Sequence, residues 1–263
     1  LIEADRHQLD DRLRGYHFDA VLDICAYDAS DVNDLLDALD SYDDYILISS
    51  SAVYPEYGKQ PFAEDDKLGE NRFWKAYGTD KIAAEQALIQ RDDNAYILRP
   101  PYLYGAMNNV YREAFVFECA MQDRKFYIPK HGEMKLQFFH VSDLCHFIDI
   151  LLAQKPSTHV FNVGNPETIS ILEWVKLCYQ VCGKKAEFVF VEKDIESRKY
   201  FSFYDYEYEL DITKQREWMP HTISMEKGLQ DALAWYLKHP DEVVRKPFID
   251  FIDEHLGEAL DIS

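Results

Sequence analysis

Through the first hundred residues, short apolar runs rich in β-branched and aromatic side chains alternate with stretches whose apolar residues recur every three or four positions. Residues 1–4, 20–25, 45–48 and 96–98 have the length and composition of buried strands. Between them, residues 8–15 read as a short amphipathic helix with Leu9 and Leu13 on one face. Residues 31–39 read as another, with Val32, Leu35, Leu36 and Leu39 together and aspartates outside. Residues 74–90 form a third. This alternation predicts an α/β fold with a parallel sheet covered on both faces. Such sheets take ligands at the carboxyl ends of their strands. Those ends are Asp5, Cys25-Ala26-Tyr27, Ser49 to Ser51, and Pro100 to Tyr102.

After Gly105 the pattern changes. Residues 110–122 read as helix, 126–129 as a strand closed by Pro129, and 136–140 as extended chain. Ser142 or Asp143 is placed to cap a helix running to Ala153. Residues 160–164 read as a strand. Ser170 with Glu173 fits a capping box for a helix to Val181. Residues 186–191 form another strand. Residues 200–210, dense in aromatic and acidic side chains, either pack an irregular segment or line a substrate pocket. Helices over 213–218, 224–237 and 248–260 complete the chain, punctuated by Pro240 and Pro247.

The chain has 263 residues, 47% hydrophobic and 29% charged, which is globular rather than disordered. No apolar run approaches the roughly 18–20 residues of a membrane span. The net charge of −20 repels nucleic acid, and no dense Lys/Arg cluster offsets it. A cytoplasmic protein with neither membrane nor nucleic-acid partner is expected. Five cysteines at scattered positions do not form a disulfide framework. Cys178 and Cys182 share a helix face but have no histidines at ligand spacing, so no metal is expected.

The richest chemistry lies between residues 44 and 81. A buried strand ends in three hydroxyls, Ser49, Ser50 and Ser51. A long loop follows, then a helix whose first turns carry Tyr77 and Lys81 on one face. An ammonium beside a phenol favours the phenolate, which suits the tyrosine to proton transfer nearer neutral pH. A serine hydroxyl at the end of the neighbouring strand can hold a substrate oxygen against it.

The ordered set SSSAVY, YGTDK and RPPYLYG resembles the extended short-chain dehydrogenase/reductases, the NAD-dependent epimerase/dehydratase group. FFHVSDL, VFNVG and Ser224 with Lys227-Gly228-Leu229 resemble further motifs of that family. His140 and Asp143 are expected to be structural. The resemblance implies a Rossmann-like doubly wound sheet with a smaller α+β C-terminal substrate domain. It divides the chain into 1–105 plus about 139–165, and 106–138 plus 166–263. It implies an NAD(P)-dependent epimerase, dehydratase or reductase acting on a sugar or nucleotide-sugar-like substrate, possessing Ser50, Tyr77 and Lys81 as catalytic residues, with Ser51 the alternative to Ser50. Asp5, Ala26, Tyr27, Tyr77, Lys81 and Pro100 would contact NAD or NADP, and a homodimer is a possible assembly. The alternative is a non-catalytic binding or scaffold protein on the same fold.

Two departures stand out. Leu136 occupies the position where many nucleotide-sugar members carry a diphosphate-clamping arginine, and the adjacent Lys135 does not replace that fork. The segment is closer to an atypical branch that includes plant chloroplast stem-loop RNA-binding proteins. The Gly-rich dinucleotide turn is also absent. Set against the family pattern, residues 1–4 align with the third strand, so the first two strands are expected upstream; loss of dinucleotide binding is the alternative. The family order 3-2-1-4-5-6 then predicts that residues 1–4 either sit apart from strand 20–25, across a gap, or pair elsewhere.

Overall fold

The computed structural model describes residues 1–192 and 194–257. In chain order its strands are β1 (His17–Asp23), β2 (Ser41–Ile48), β3 (Tyr96–Arg99), β4 (Tyr102–Tyr104), β5 (Phe126–Pro129), β6 (Lys135–Leu136), β7 (Phe138–His140), β8 (Val160–Asn162), β9 (Ile169–Ser170) and β10 (Phe188–Val191). Its helices are α1 (Ala29–Ala38), α2 (Ala76–Arg91), α3 (Glu113–Met121), α4 (Val141–Gln154), α5 (Ile171–Val181), α6 (Thr213–Trp218), α7 (Met225–Tyr236) and α8 (Phe248–His255). The last three residues of the helix expected over 248–260 lie outside the described residues.

The chain divides into two compact units. The first holds residues 1–101, 142–166 and 209–221; the second holds 102–141, 167–208 and 222–263. Residues 102–105 and 139–141 thus fall with the second unit, and 209–221 with the first.

The first unit is built on a parallel sheet in the order β1-β2-β3-β8. Successive side chains of a strand point to opposite faces, so Tyr45 and Leu47 share one face of β2. There they join Ile97, Val32 and Leu36 of α1, and Ala84 and Leu88 of α2 in one buried cluster. Phe147 of α4 meets Phe161 of β8 edge-on at 5.3 Å. Helix α1 starts two residues before its expected position because Asp28 caps it. The Asp28 carboxylate accepts from Ser30 N and Asp31 N, at 2.8 and 3.1 Å, and Asp31 returns the bond to Asp28 N.

Two expectations fail at the amino end. Residues 1–4 form no strand and pair with no other strand; Leu1 and Ile2 are exposed. Without a neighbouring ladder, an extended segment leaves its backbone to water and gains no burial to order it. Residues 8–15 form turns after a short 3₁₀ turn, Arg6–Gln8, rather than a helix. Leu9 and Leu13 are only half-buried.

In the second unit, β4 pairs with β7, β5 with β10 and β6 with β9. Its core is aromatic. Trp174 stacks on Phe138 at 5.5 Å, and Phe203 meets Trp174 edge-on at 5.2 Å. Residues 200–208 pack as an irregular strip in this core, with Tyr200, Phe201, Phe203, Tyr206 and Tyr208 buried, and Phe201, Phe203 and Tyr204 also line a cavity.

Candidate active site

The hydroxyl cluster continues the sheet beyond β2. Ser49 N donates to Leu98 O at 2.8 Å, and Ser51 N to Pro100 O at 2.9 Å. The chain then turns through a 3₁₀ turn, Ser51–Val53, capped by Ser50, whose Oγ accepts from Ala52 N at 3.1 Å. A hydroxyl has one proton to donate as well as lone pairs, so Ser50 keeps its donor for another group. Ser50 is half-buried, whereas Ser49 and Ser51 are buried. Ser49 Oγ donates to the buried carboxylate of Glu85.

Helix α2 lies directly against this turn. A Cβ on Gly78 would stand 2.4 Å from Ala52 O, inside any real contact distance. Glycine at 78 therefore permits the close approach of α2 to the Ser51–Val53 turn. Lys75, which precedes the helix, has φ 50°.

Lys81 is almost wholly buried, 3% exposed. Its Nζ donates to Ala26 O at 2.7 Å and to Ile48 O at 2.9 Å, at the carboxyl ends of β1 and β2. Two of its three N–H groups are thus engaged. The Tyr27 and Tyr77 ring centroids lie 5.2 and 6.0 Å from Nζ, and 6.5 Å from each other. Burial pushes the Lys81 ammonium below its ordinary value, opposed by Asp23, Asp31 and Glu85. Tyr27 and Tyr77 are exposed.

Of the residues read from sequence, Tyr27, Tyr77 and Lys81 come together, with Ala26 supplying its carbonyl. The Ala26 side chain is buried, and so is Pro100, whose carbonyl is taken by Ser51 N. Asp5 is exposed and accepts from His7 N at 2.9 Å, capping the Arg6–Gln8 turn.

A buried polar framework around the pair escaped the sequence reading. Arg99 donates to both Glu85 oxygens, at 3.0 and 2.6 Å, and to Tyr54 Oη at 2.8 Å. Tyr54 Oη donates to Asn162 Oδ1 at 2.8 Å, and Asn162 Nδ2 donates to Phe62 O and Asp211 O. On the other side, Arg6 bridges Asp23 and Asp31. A signal was present for Asp23, an acid inside the apolar run AVLDIC, and for Glu85, one turn after Lys81.

In the second unit, the RPPYLYG and FFHVSDL segments meet as the β4–β7 ladder, with Tyr104 opposite His140. Gly105, at φ +123°, leaves room for His140, whose Nε2 would lie 2.8 Å from a Cβ there. The same unit holds a cavity of about 310 Å³ lined by Lys130, Gly132, Met134, Phe201, Phe203 and Tyr204, among others.

Among the described residues, no helix is long and apolar enough to cross a membrane. Residues 18–164 match the model of the NAD dependent epimerase/dehydratase family. The chloroplast stem-loop binding protein of 41 kDa b from Arabidopsis thaliana is 28% identical over 242 residues, which cover 88% of this chain and 63% of that protein. Probable GDP-L-fucose synthase 1 from Oryza sativa subsp. japonica is 25% identical over 218 residues, covering 74% and 62%. The chain therefore spans less than two thirds of the length of these relatives. The dTDP-glucose 4,6-dehydratase of Bacillus anthracis str. Ames, solved with NAD, superposes with a TM-score of 0.66 at 19% identity, covering 86% of this chain and 74% of that one. The UDP-glucuronic acid 4-epimerase of Bacillus cereus, solved with UDP-glucuronic acid and NAD, gives 0.62 at 22%, covering 79% and 66%. These structures share the Rossmann-type fold. With the family pattern matched across more than half its length, from β1 to the end of β8, the chain belongs to the NAD dependent epimerase/dehydratase family.

Proposed function

We propose that this chain carries the proton-transfer machinery of an NAD(P)-dependent epimerase, dehydratase or reductase acting on a sugar or nucleotide-sugar-like substrate. The observation that carries the reading is the meeting of the Tyr27 and Tyr77 rings with the Lys81 ammonium, itself held by the carbonyls of Ala26, just beyond β1, and Ile48, which ends β2. NAD or NADP, when bound, supplies hydride transfer. The residues present fit part of such a cofactor. Lys81 has one N–H uncommitted for a ribose hydroxyl, Tyr27 offers an exposed ring, and the second carboxylate oxygen of Asp5 is available to a base. Ala26 and Pro100 have their carbonyls engaged and contribute shape rather than hydrogen bonds.

Tyr77 Oη takes the proton from the reacting substrate hydroxyl and returns it in the reverse step. The Lys81 charge stabilises the phenolate so formed. Ser50 donates its free hydroxyl proton to the substrate oxygen and holds it against Tyr77. The test is turnover with NAD and NADP across a panel of sugars and nucleotide sugars. Tyr77→Phe is expected to lower kcat by about 10²–10⁴-fold while leaving cofactor affinity nearly unchanged. A near-native kcat in that variant would exclude Tyr77 as the proton-transfer group.

A second reading, a binding protein on the same fold, is favoured by one feature of the second unit. Arg112 and Arg198 lie over the Tyr102 and Tyr204 rings at 5.0 and 4.7 Å. Lys246 is pushed below its ordinary value by burial and then by Arg198 and Arg112. None of the three makes an ion pair among the described residues. Cations beside aromatic faces suit phosphates and stacked bases. Tight binding of a stem-loop RNA in a low-salt gel shift, lost in Arg198→Ala, together with no turnover on the sugar panel, would favour this reading.

A further inference from the structure

The contacts of the Lys81 ammonium are of two kinds. Two of its N–H groups donate to carbonyls, Ala26 O at 2.7 Å and Ile48 O at 2.9 Å; the third has no acceptor among the described residues. The Tyr27 and Tyr77 ring centroids stand 5.2 and 6.0 Å from Nζ, within the reach of a cation–π contact. Ala26 and Ile48 are buried, whereas Tyr27 is 58% exposed and Tyr77 41%. Of the groups that contact the ammonium, the two rings alone reach water, yet Lys81 itself is 3% exposed. The rings are therefore the side on which the charge is shut off from solvent.

The two rings are held differently. Tyr77 is carried in the first turn of α2. Tyr27 lies in the connection from β1 to α1, and only its backbone is fixed. Its N–H donates to Asp31 Oδ2 at 2.5 Å, and the carbonyl just before it is one that Lys81 takes. The Tyr27 hydroxyl makes no hydrogen bond among the described residues. Its ring meets the Lys81 ammonium and, at 6.5 Å and a 58° tilt, the Tyr77 ring. An exposed side chain on a fixed backbone can change rotamer without disturbing the fold around it. A desolvated ammonium gains from the negative face of a ring where it has lost water. A ligand oxygen that approaches the third N–H competes with the Tyr27 ring for the same charge.

We propose that Tyr27 is a positioning residue acting through Lys81: its ring is a movable cap that lies over the ammonium, keeps water from it, and swings aside when a ligand hydroxyl takes the third N–H. That the hydroxyl belongs to a sugar rests on the function proposed above; the cap rests on the contacts alone. The test reads the exchange of the Lys81 ammonium protons with water, by NMR of the full chain labelled with ¹⁵N-lysine, the signal being assigned by its loss in Lys81→Arg. Tyr27→Ala removes the cap and is expected to speed this exchange about tenfold or more, with Tm close to that of the wild type because the side chain it removes is exposed. Tyr27→Phe keeps the ring and should keep the wild-type rate, since the hydroxyl it lacks has no partner. In the wild-type chain the rate should be flat in low urea, because a swinging side chain exposes little new surface. An unmoved rate in Tyr27→Ala, an equal rise in Tyr27→Phe, or a wild-type rate that climbs with urea as steeply as the slowest backbone amides would each overturn the cap. The urea dependence decides even if Tyr27→Ala does not fold. The expected rates in a chain that turns over no sugar of the panel would overturn the enzyme reading and leave the cap standing; turnover with an unmoved rate in Tyr27→Ala would do the reverse.

Discussion

Gly78 holds the site together by what it lacks. Any side chain there would meet the Ala52 carbonyl, which belongs to backbone and cannot swing away. Gly78→Ala is expected to cost about 1–3 kcal/mol in urea unfolding. If the proposed mechanism holds, kcat should fall as well, because relief of the clash shifts α2, and Tyr77 with it, relative to the Ser51–Val53 turn. A fully stable variant would show that α2 can retreat freely. At this scale the sequence was legible where chemistry and spacing coincide. Tyr77 and Lys81 sit one helical turn apart, and three serines close a strand. The contributions of Gly78, Asp23 and Glu85 were not legible, because each depends on which atom approaches from a segment distant in sequence. Ser49 shows the same limit: the two residues after it are serines like itself, yet only the fold commits it to Glu85.

Among elements, the Glu85–Arg99 pair joins α2 to the end of β3, with both side chains buried. Glu85→Gln leaves a buried guanidinium without its counter-charge and should cost about 3–5 kcal/mol, read from denaturant midpoints at neutral pH. The connection from β4 to α3 gives a pH-dependent case. Glu113 Oε1 accepts from Gly105 N at 3.3 Å and from Asn108 Nδ2 at 2.9 Å, while Oε2 has no partner among the described residues. Burial raises the Glu113 carboxyl above its ordinary value, against the pull of Asn108 and nearby groups. The folded state therefore holds this proton more tightly than the unfolded chain, so the stability it contributes is present in acid and lost as pH rises through the folded value. Glu113→Gln should remove that loss. The stability difference between the two proteins is expected to move in favour of glutamine between pH 4 and pH 8. The strands themselves were legible as apolar runs, but β1 and β2 begin earlier than those runs. Their first residues, His17–Phe18–Asp19 and Ser41–Tyr42–Asp43, alternate inward aromatics with outward polar groups, and reading for continuous apolar stretches passes over that pattern. Residues 1–4 fail in the opposite sense: an apolar composition with no ladder to join.

For the molecule as a whole, 48 acidic against 28 basic residues give the charge of −20. Self-repulsion at that charge opposes compaction and is screened by salt. Raising NaCl from about 10 to 300 mM, a range that shortens the screening length several-fold, is expected to raise Tm. A falling Tm would mean that specific surface ion pairs outweigh the net field. The two-unit organisation was partly legible, since the change of pattern after Gly105 is real. The return of residues 209–221 to the first unit was not, because nothing in their composition announces Phe62 as their partner. That return has a consequence in time. Phe62 pairs with Leu210 across nearly 150 residues, and Asn162 Nδ2 reaches Asp211 O. The polar floor under Tyr54 and Arg99 thus cannot close during synthesis until the chain has emerged past residue 211, by which point β4 to β10 have long been outside the ribosome. Contacts of such sequence separation form late. In pulse-labelled refolding, the Phe62 and Asp211 amides, which donate to Glu209 O and Phe62 O, should gain protection after those of β2 and β3, so that the site's scaffold is assembled first and its floor is laid last.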